Sequence, residues 1–106
     1  MRVLAVIHKV GKENLKWWCY DILYKESVID KILRRKPPVV HENDYDVNCP
    51  IAKVYVKQGW KYLCSGDTFH SSFVLKEMGL KDMLDLEGLI NFLKRHYRIK
   101  SYVVIK

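Results

Sequence analysis

The chain begins with an apolar run that predicts a buried β-strand. Residues Arg2 to His8 carry apolar, partly β-branched side chains from Val3 to Ile7, and the run ends before Gly11. Because both alternating faces of such a strand are apolar, we expect it to lie in the centre of a sheet.

Between Lys12 and Arg35 the apolar spacing changes to that of a helix. The predicted buried stripe consists of Leu15, Trp18, Cys19, Ile22, Ile29 and Leu33. A break near Ser27 is compatible with the sequence, because Ser27 followed by Asp30 resembles a capping box. The aromatic residues Trp17, Tyr20 and Tyr24 form a second stripe, away from the first.

The segment from about 37 to 50 is predicted to be a loop. Pro37 and Pro38 end the preceding helix, and the residues that follow are polar and acidic without a clear period. Carboxylates and a lysine are the residue types of metal-dependent nucleases, and here they are Glu42, Asp44, Asp46 and Lys53. The acid-x-lysine step of those enzymes is missing, because residues 51–53 read Ile-Ala-Lys.

Two short segments with β-type alternation follow the loop. Ile51 to Lys57 and Trp60 to Cys64 are separated by Gln58 and Gly59, where glycine allows the positive φ of a tight turn. We therefore expect a hairpin. Its core face would hold Ala52, Val54, Val56 and Leu63, with Lys61 as the one misfit.

The last third of the chain predicts two helices and a strand. A short helix is expected to begin near Asp67 or Thr68, either of which could cap it, and to end near Gly79. A second helix spans about Asp85 to Tyr97 with one apolar stripe, and Ile99 to Ile105 forms the final strand.

These elements predict a single α+β domain over residues 1–106. If the two later helices count as one layer, the order is β-α-β-β-α-β, that of the ferredoxin-like motif, with helices on one face of an antiparallel sheet. A hydrophobic content of 49% argues against global disorder. No apolar run approaches the roughly 20 residues of a membrane span, and no secretory signal is evident. We expect a cytoplasmic protein without a membrane partner.

Charge narrows the range of partners. The chain has 19 Lys and Arg against 12 Asp and Glu, a formal charge of +7, which favours polyanions. The positive charge concentrates at Arg34 to Lys36 and at Lys94 to Lys100, and the negative charge at Glu42 to Asp46. Wide spacing of Cys19, Cys49 and Cys64 argues against disulfides, and His8, His41, His70 and His96 show no metal-ligand spacing. No cofactor and no metal is predicted.

The predicted hairpin supplies the leading hypothesis for function. A turn at Gln58 and Gly59 would place Lys53, Tyr55, Lys57, Trp60, Tyr62 and Cys64 on the sheet face away from the helices. Aromatic rings stack on bases and lysines neutralise phosphates, so this face suits single-stranded DNA or RNA. The predicted binding set is Lys53, Tyr55, Lys57, Trp60 and Tyr62, helped by Arg34, Arg35, Arg95 and Arg98.

Two other interpretations remain open. The same aromatic face could be buried in a homodimer or against another protein, which would make the chain an interaction or regulatory module. The segment from Cys64 to Ser72 could instead form the site of a small nuclease or nucleotide-acting enzyme, with Cys64 or a serine as nucleophile and His70 as base. No established catalytic motif supports that second interpretation, and no catalytic residue is assigned.

Overall fold

A computed structural model describes residues 1–34, 49–69 and 72–106 of the chain. It is a mixed α+β structure with a four-stranded sheet. The elements in chain order are β1 (Arg2–Lys12), β2 (Leu15–Lys25), α1 (Val28–Ile32), α2 (Pro50–Lys57), β3 (Lys61–Asp67), α3 (Ser72–Met78), α4 (Leu86–Tyr97) and β4 (Ser101–Ile105). Most of the predicted loop at 37–50 lies outside the described residues.

The first strand is confirmed, but the long helix predicted after it is wrong. β1 continues to Lys12 and turns into the antiparallel strand β2, with Arg2 opposite Lys25 and Lys12 opposite Leu15. Trp18 and Ile22, which suggested a helical stripe, also lie two positions on either side of Tyr20 along one face of β2. The helix over 12–35 is reduced to α1, whose capping box between Ser27 and Asp30 is present as predicted.

The strand order differs from the ferredoxin-like expectation. The sheet has the order β3-β2-β1-β4, in which β2 pairs antiparallel with both β1 and β3. β4 lies beside β1 and runs parallel to it, so the sheet is mixed rather than antiparallel. The central position of β1 is confirmed, and β3 and β4 form the two edges.

The predicted hairpin at Gln58 and Gly59 is also wrong. Residues Pro50–Lys57 form helix α2, with proline at the first helical position, where its missing N–H costs nothing. Gly59 has a φ of +100°, and this residue ends the helix rather than joining two strands. The strand that follows, β3, pairs with β2 instead.

Helices cover both faces of the sheet, contrary to the prediction of one covered face. α3 and α4 pack on the face that carries Ala5, Ile7 and Ile22. α2 packs on the opposite face, where its Ala52 joins Leu4, Val6, Leu23 and Trp60 in a second core. The helix predicted near 85–97 is confirmed as α4, and Asp85 caps it. Among the helices of the described ranges, none is long and apolar enough to span a membrane.

Candidate nucleic-acid interface

The structure separates the side chains that the predicted hairpin would have aligned. Lys53, Tyr55 and Lys57 lie on α2, whereas Tyr62 lies on β3. Lys53 and Lys57 are one helical turn apart and both are exposed. Tyr55 is half-buried and packs edge-on against the ring of Trp60, with 6.1 Å between the ring centroids. The premise of a shared open sheet face is therefore incorrect.

Trp60 is a core residue and not an open stacking surface. Its exposed fraction is 7%. The guanidinium carbon of Arg2 lies 5.1 Å from the ring centroid and Nζ of Lys25 lies 5.9 Å from it, so the protein's own cations contact the ring. Tyr62 is half-buried, and its hydroxyl is hydrogen-bonded to the hydroxyl of Ser65 at 2.8 Å.

The predicted arginines lie at the ends of two helices. Arg34 is exposed and follows α1 with a φ of +54°. Arg98 is exposed in the left-handed conformation at the C-cap of α4. Arg95 contacts the end of α3, because its Nη2 donates a hydrogen bond of 3.4 Å to the carbonyl of Met78. Arg35 lies outside the described residues.

The basic C-terminal segment exposes its cations along α4, the turn after it and β4. From Lys94 to Lys106 the sequence has five Lys and Arg and no Asp or Glu. All five cationic side chains are exposed, on the last turn of α4, in the turn after it and beside β4. This surface, which we call the C-terminal basic surface, consists of Lys94, Arg95, Arg98, Lys100 and Lys106.

A groove beside this surface contains an exposed aromatic ring. The groove lies between α4 and β4, with a volume of about 430 Å³. Its lining residues are Leu86, Glu87, Ile90, Asn91, Lys94 and Tyr102. Tyr102 is 45% exposed, and Nζ of Lys94 lies 5.9 Å from the centroid of its ring. The predicted site omitted both residues, although the positive run from Lys94 onward was visible in the sequence.

The same end of the sheet carries further cations. The backbone N–H of Lys100 donates to the carbonyl of Val3 at 2.8 Å, which places the start of β4 beside the start of β1. Arg2 begins β1, opposite Lys25 in β2. Nζ of Lys25 donates to the carbonyl of Gln58, which directly follows Lys57. Cations from β1, β2, α2 and the turn before β4 therefore lie toward one end of the sheet.

Polar side chains form a second cluster, on the sheet face that α2 covers. Asp67, Cys19 and His8 are cross-strand neighbours, and Asp21 lies beside them. Asp21 is 1% exposed, and its carboxylate accepts a hydrogen bond of 3.1 Å from the backbone N–H of Cys49. Burial, and then the nearby Asp67, raises the pKa of the Cys19 thiol, which disfavours the nucleophilic thiolate.

The sequence did not predict this cluster, because its members are far apart in the chain and because Cys19 and Asp21 were assigned to a helix. Within residues 1–34, 49–69 and 72–106, no three His, Cys, Asp or Glu side chains are placed to hold a metal ion. The cluster therefore supplies no metal centre from the described residues.

The segment proposed as an enzyme site is largely structural where it is described. Cys64 is 6% exposed, and burial raises the pKa of its thiol. Thr68 is fully buried, and its hydroxyl accepts from the N–H of Trp18 and donates to the carbonyl of Met83. Asp67 accepts a hydrogen bond from the N–H of Phe69. His70, the proposed base, lies outside the described residues.

Comparison with known proteins gives no relative for this chain. No family model, no curated protein and no solved structure matches it.

Proposed function

We propose that the chain is a small nucleic-acid-binding protein that contacts phosphates through the C-terminal basic surface. The observation that carries the proposal is the run of five exposed cations without an intervening carboxylate from Lys94 to Lys106. Neutralising phosphates with Lys and Arg releases condensed counterions, which supplies most of the affinity for a polyanion. No Asp or Glu lies between these cations in the sequence, which favours a positive local potential.

Cations outside this surface extend the proposed contact. Arg2 and Lys25 lie at the same end of the sheet, and Lys57 at the end of α2 is exposed nearby. Two further basic residues of the predicted binding set are described and exposed. They are Lys53, one turn earlier on α2, and Arg34 after α1. Tyr55, Trp60 and Tyr62 are not part of the proposed contact, because their rings are engaged inside the protein.

The test compares two charge reversals of equal size at opposite ends of the molecule. One variant combines Arg98→Glu with Lys100→Glu, and the control combines Lys12→Glu with Lys16→Glu. Lys12 lies nine residues beyond Val3 along β1, which is about 30 Å from the basic end at about 3.3 Å per residue. Both variants change the net charge equally, so only the location of the lost cations differs.

Fluorescence anisotropy of a labelled oligonucleotide at increasing salt provides the measurement. The wild type is expected to bind with an affinity that falls steeply with salt. The Arg98 and Lys100 variant should bind at least about tenfold more weakly and lower the log–log salt slope by about 1 to 2, whereas the control should keep most of that slope. Absence of salt-sensitive binding by the wild type, or equal losses in both variants, would contradict the proposal.

A second candidate function is protein association through α1. This short helix buries Asp30 and turns its apolar side chains outward, with exposed fractions of 73% for Val28, 63% for Ile29, 72% for Ile32 and 56% for Leu33. Contiguous exposed apolar side chains mark interaction surfaces. A homodimer formed through this stripe would dissociate in the Ile29→Ser/Ile32→Ser variant, as measured by light scattering. A wild-type protein that stays monomeric at every concentration would exclude the homodimer.

A further inference from the structure

The groove between α4 and β4 has a composition that the C-terminal basic surface lacks. Tyr102 forms its β4 side, and Leu86 and Ile90 form an apolar wall on α4. Of the tyrosines in the described part of the chain, Tyr102 is the most exposed. The volume of the groove, about 430 Å³, falls in the range of about 300–1,000 Å³ of pockets that hold small organic groups.

We infer that this groove receives an unpaired nucleobase, which stacks on Tyr102 while the adjoining phosphates lie on the C-terminal basic surface. The inference rests on the proposed function and specifies its ligand as single-stranded nucleic acid. A base held in a duplex cannot enter a groove beside an edge strand, because both of its faces are already stacked. Single strands present free faces, and stacking on an aromatic side chain tolerates any base.

Charge along the groove orients the bound single-stranded nucleic acid. Lys94 lies at the Tyr102 end, and its ammonium group is flexible enough to move from the ring to a phosphate. Glu87 lies one α-helical turn before Asn91, and its carboxylate repels phosphate. The sugar–phosphate backbone of the bound nucleic acid therefore runs past Lys94 toward Arg98, and the base points toward α4.

Two polar side chains in the groove match the edges of bases. The amide of Asn91 can donate and accept, and the carboxylate of Glu87 can accept from an exocyclic amino group. Both lie on α4 with Lys94, and Asn91 is one turn from each of them. The apolar wall and the ring would hold the plane of the base, and these groups would meet its edge.

The experiment measures three fluorescein-labelled probes against four proteins by anisotropy. The probes are oligodeoxythymidine, oligouridine of the same length, and a blunt-ended DNA duplex without a loop. The proteins are the wild type, Tyr102→Ala, Tyr102→Phe and Phe73→Ala. Phe73 is a matched control, because this aromatic residue is 70% exposed on α3 and does not line the groove.

Loss of one stacking ring is expected to weaken single-strand binding by about 5- to 150-fold in Tyr102→Ala. Tyr102→Phe keeps the ring and should stay within about twofold of the wild type, as should Phe73→Ala. Duplex binding should not change in any variant. The DNA and RNA probes tell which sugar the groove accepts, and a loss on either one supports the inference.

Failure of the inference is distinguishable from failure of the proposed function. Salt-sensitive binding by the wild type with no loss in Tyr102→Ala would overturn the stacked base and leave the basic surface intact. Absence of binding to all three probes would contradict both the stacked base and the proposed nucleic-acid binding. Tyr102→Thr, which suits a strand, replaces Tyr102→Ala if thermal unfolding shows that alanine disturbs β4.

Discussion

The ring of Tyr20 lies directly over Gly66, its partner across β2 and β3. A Cβ atom at position 66 would be 2.5 Å from the hydroxyl oxygen of Tyr20 and 2.7 Å from the ring carbon that bears it. Such distances are far inside van der Waals contact, so only glycine fits below this ring. Tyr20 is 6% exposed and its ring centroid lies 6.2 Å from that of Tyr97, which leaves little freedom for the ring to move.

Gly66→Ala is therefore expected to destabilise the protein by about 1–3 kcal/mol through overpacking. Urea unfolding followed by circular dichroism measures the change. Ser101→Ala, at an exposed strand position, should stay within about 0.5 kcal/mol of the wild type. In a Tyr20→Ala background the cost of Gly66→Ala should shrink, and a cost unaffected by Tyr20 would contradict the proposed clash.

Burial of Tyr20 also predicts a loss of stability at high pH. Burial raises the pKa of Tyr20 to about 12, although a hydrogen bond with Tyr97 opposes the shift. An unfolded tyrosine has a pKa of about 10, so the folded state holds its proton more tightly. The associated stability is complete below about pH 10 and is lost as the pH rises through about 12.

We expect the urea midpoint to fall between pH 10 and 12, and to fall less steeply in Tyr20→Phe. Absorbance of tyrosinate near 295 nm, compared between folded and urea-unfolded protein, reports the ionisation itself. If the difference between wild type and Tyr20→Phe titrates near pH 10 in the folded protein, the predicted burial effect is absent.

The sequence predicted the elements near the two ends of the chain better than those between them. β1 and β4 were recognisable as short, partly β-branched apolar runs, and α4 by its apolar stripe and the cap at Asp85. β2 was mistaken for a helix because helices cover both faces of the sheet. Asp21, Ile22 and Leu23 are consecutive and all buried, so the alternation that identifies a strand is lost.

α2 was mistaken for a strand for a different reason. Its Val54, Tyr55 and Val56 favour strands by intrinsic propensity, and only Pro50 indicated a helix start. The second core overrides propensity by burying Ala52 on one side of the helix. Forming a helix here leaves two valines exposed, with exposed fractions of 49% for Val54 and 39% for Val56.

The candidate site was predictable in its charge and not in its geometry. The cations at Arg95 and Arg98 were identified from the local sequence. Proximity of Lys94 to Tyr102 depends on how α4 packs across the start of β4, which no local pattern encodes. For the same reason the aromatic set around Trp60 was assigned to an open face, although it fills a core.

Thr68 provides the last prediction, because its buried hydroxyl joins two parts of the chain. It accepts a hydrogen bond of 2.9 Å from the N–H of Trp18 and donates one of 2.6 Å to the carbonyl of Met83. Thr68→Val keeps the shape but leaves these buried backbone groups without the hydroxyl, which should cost about 1–3 kcal/mol in urea unfolding. Thr68→Ser keeps the hydroxyl and should cost less, because it loses only a methyl group. If valine were tolerated better than serine, packing of the methyl group rather than hydrogen bonding would hold the segment after β3 in place.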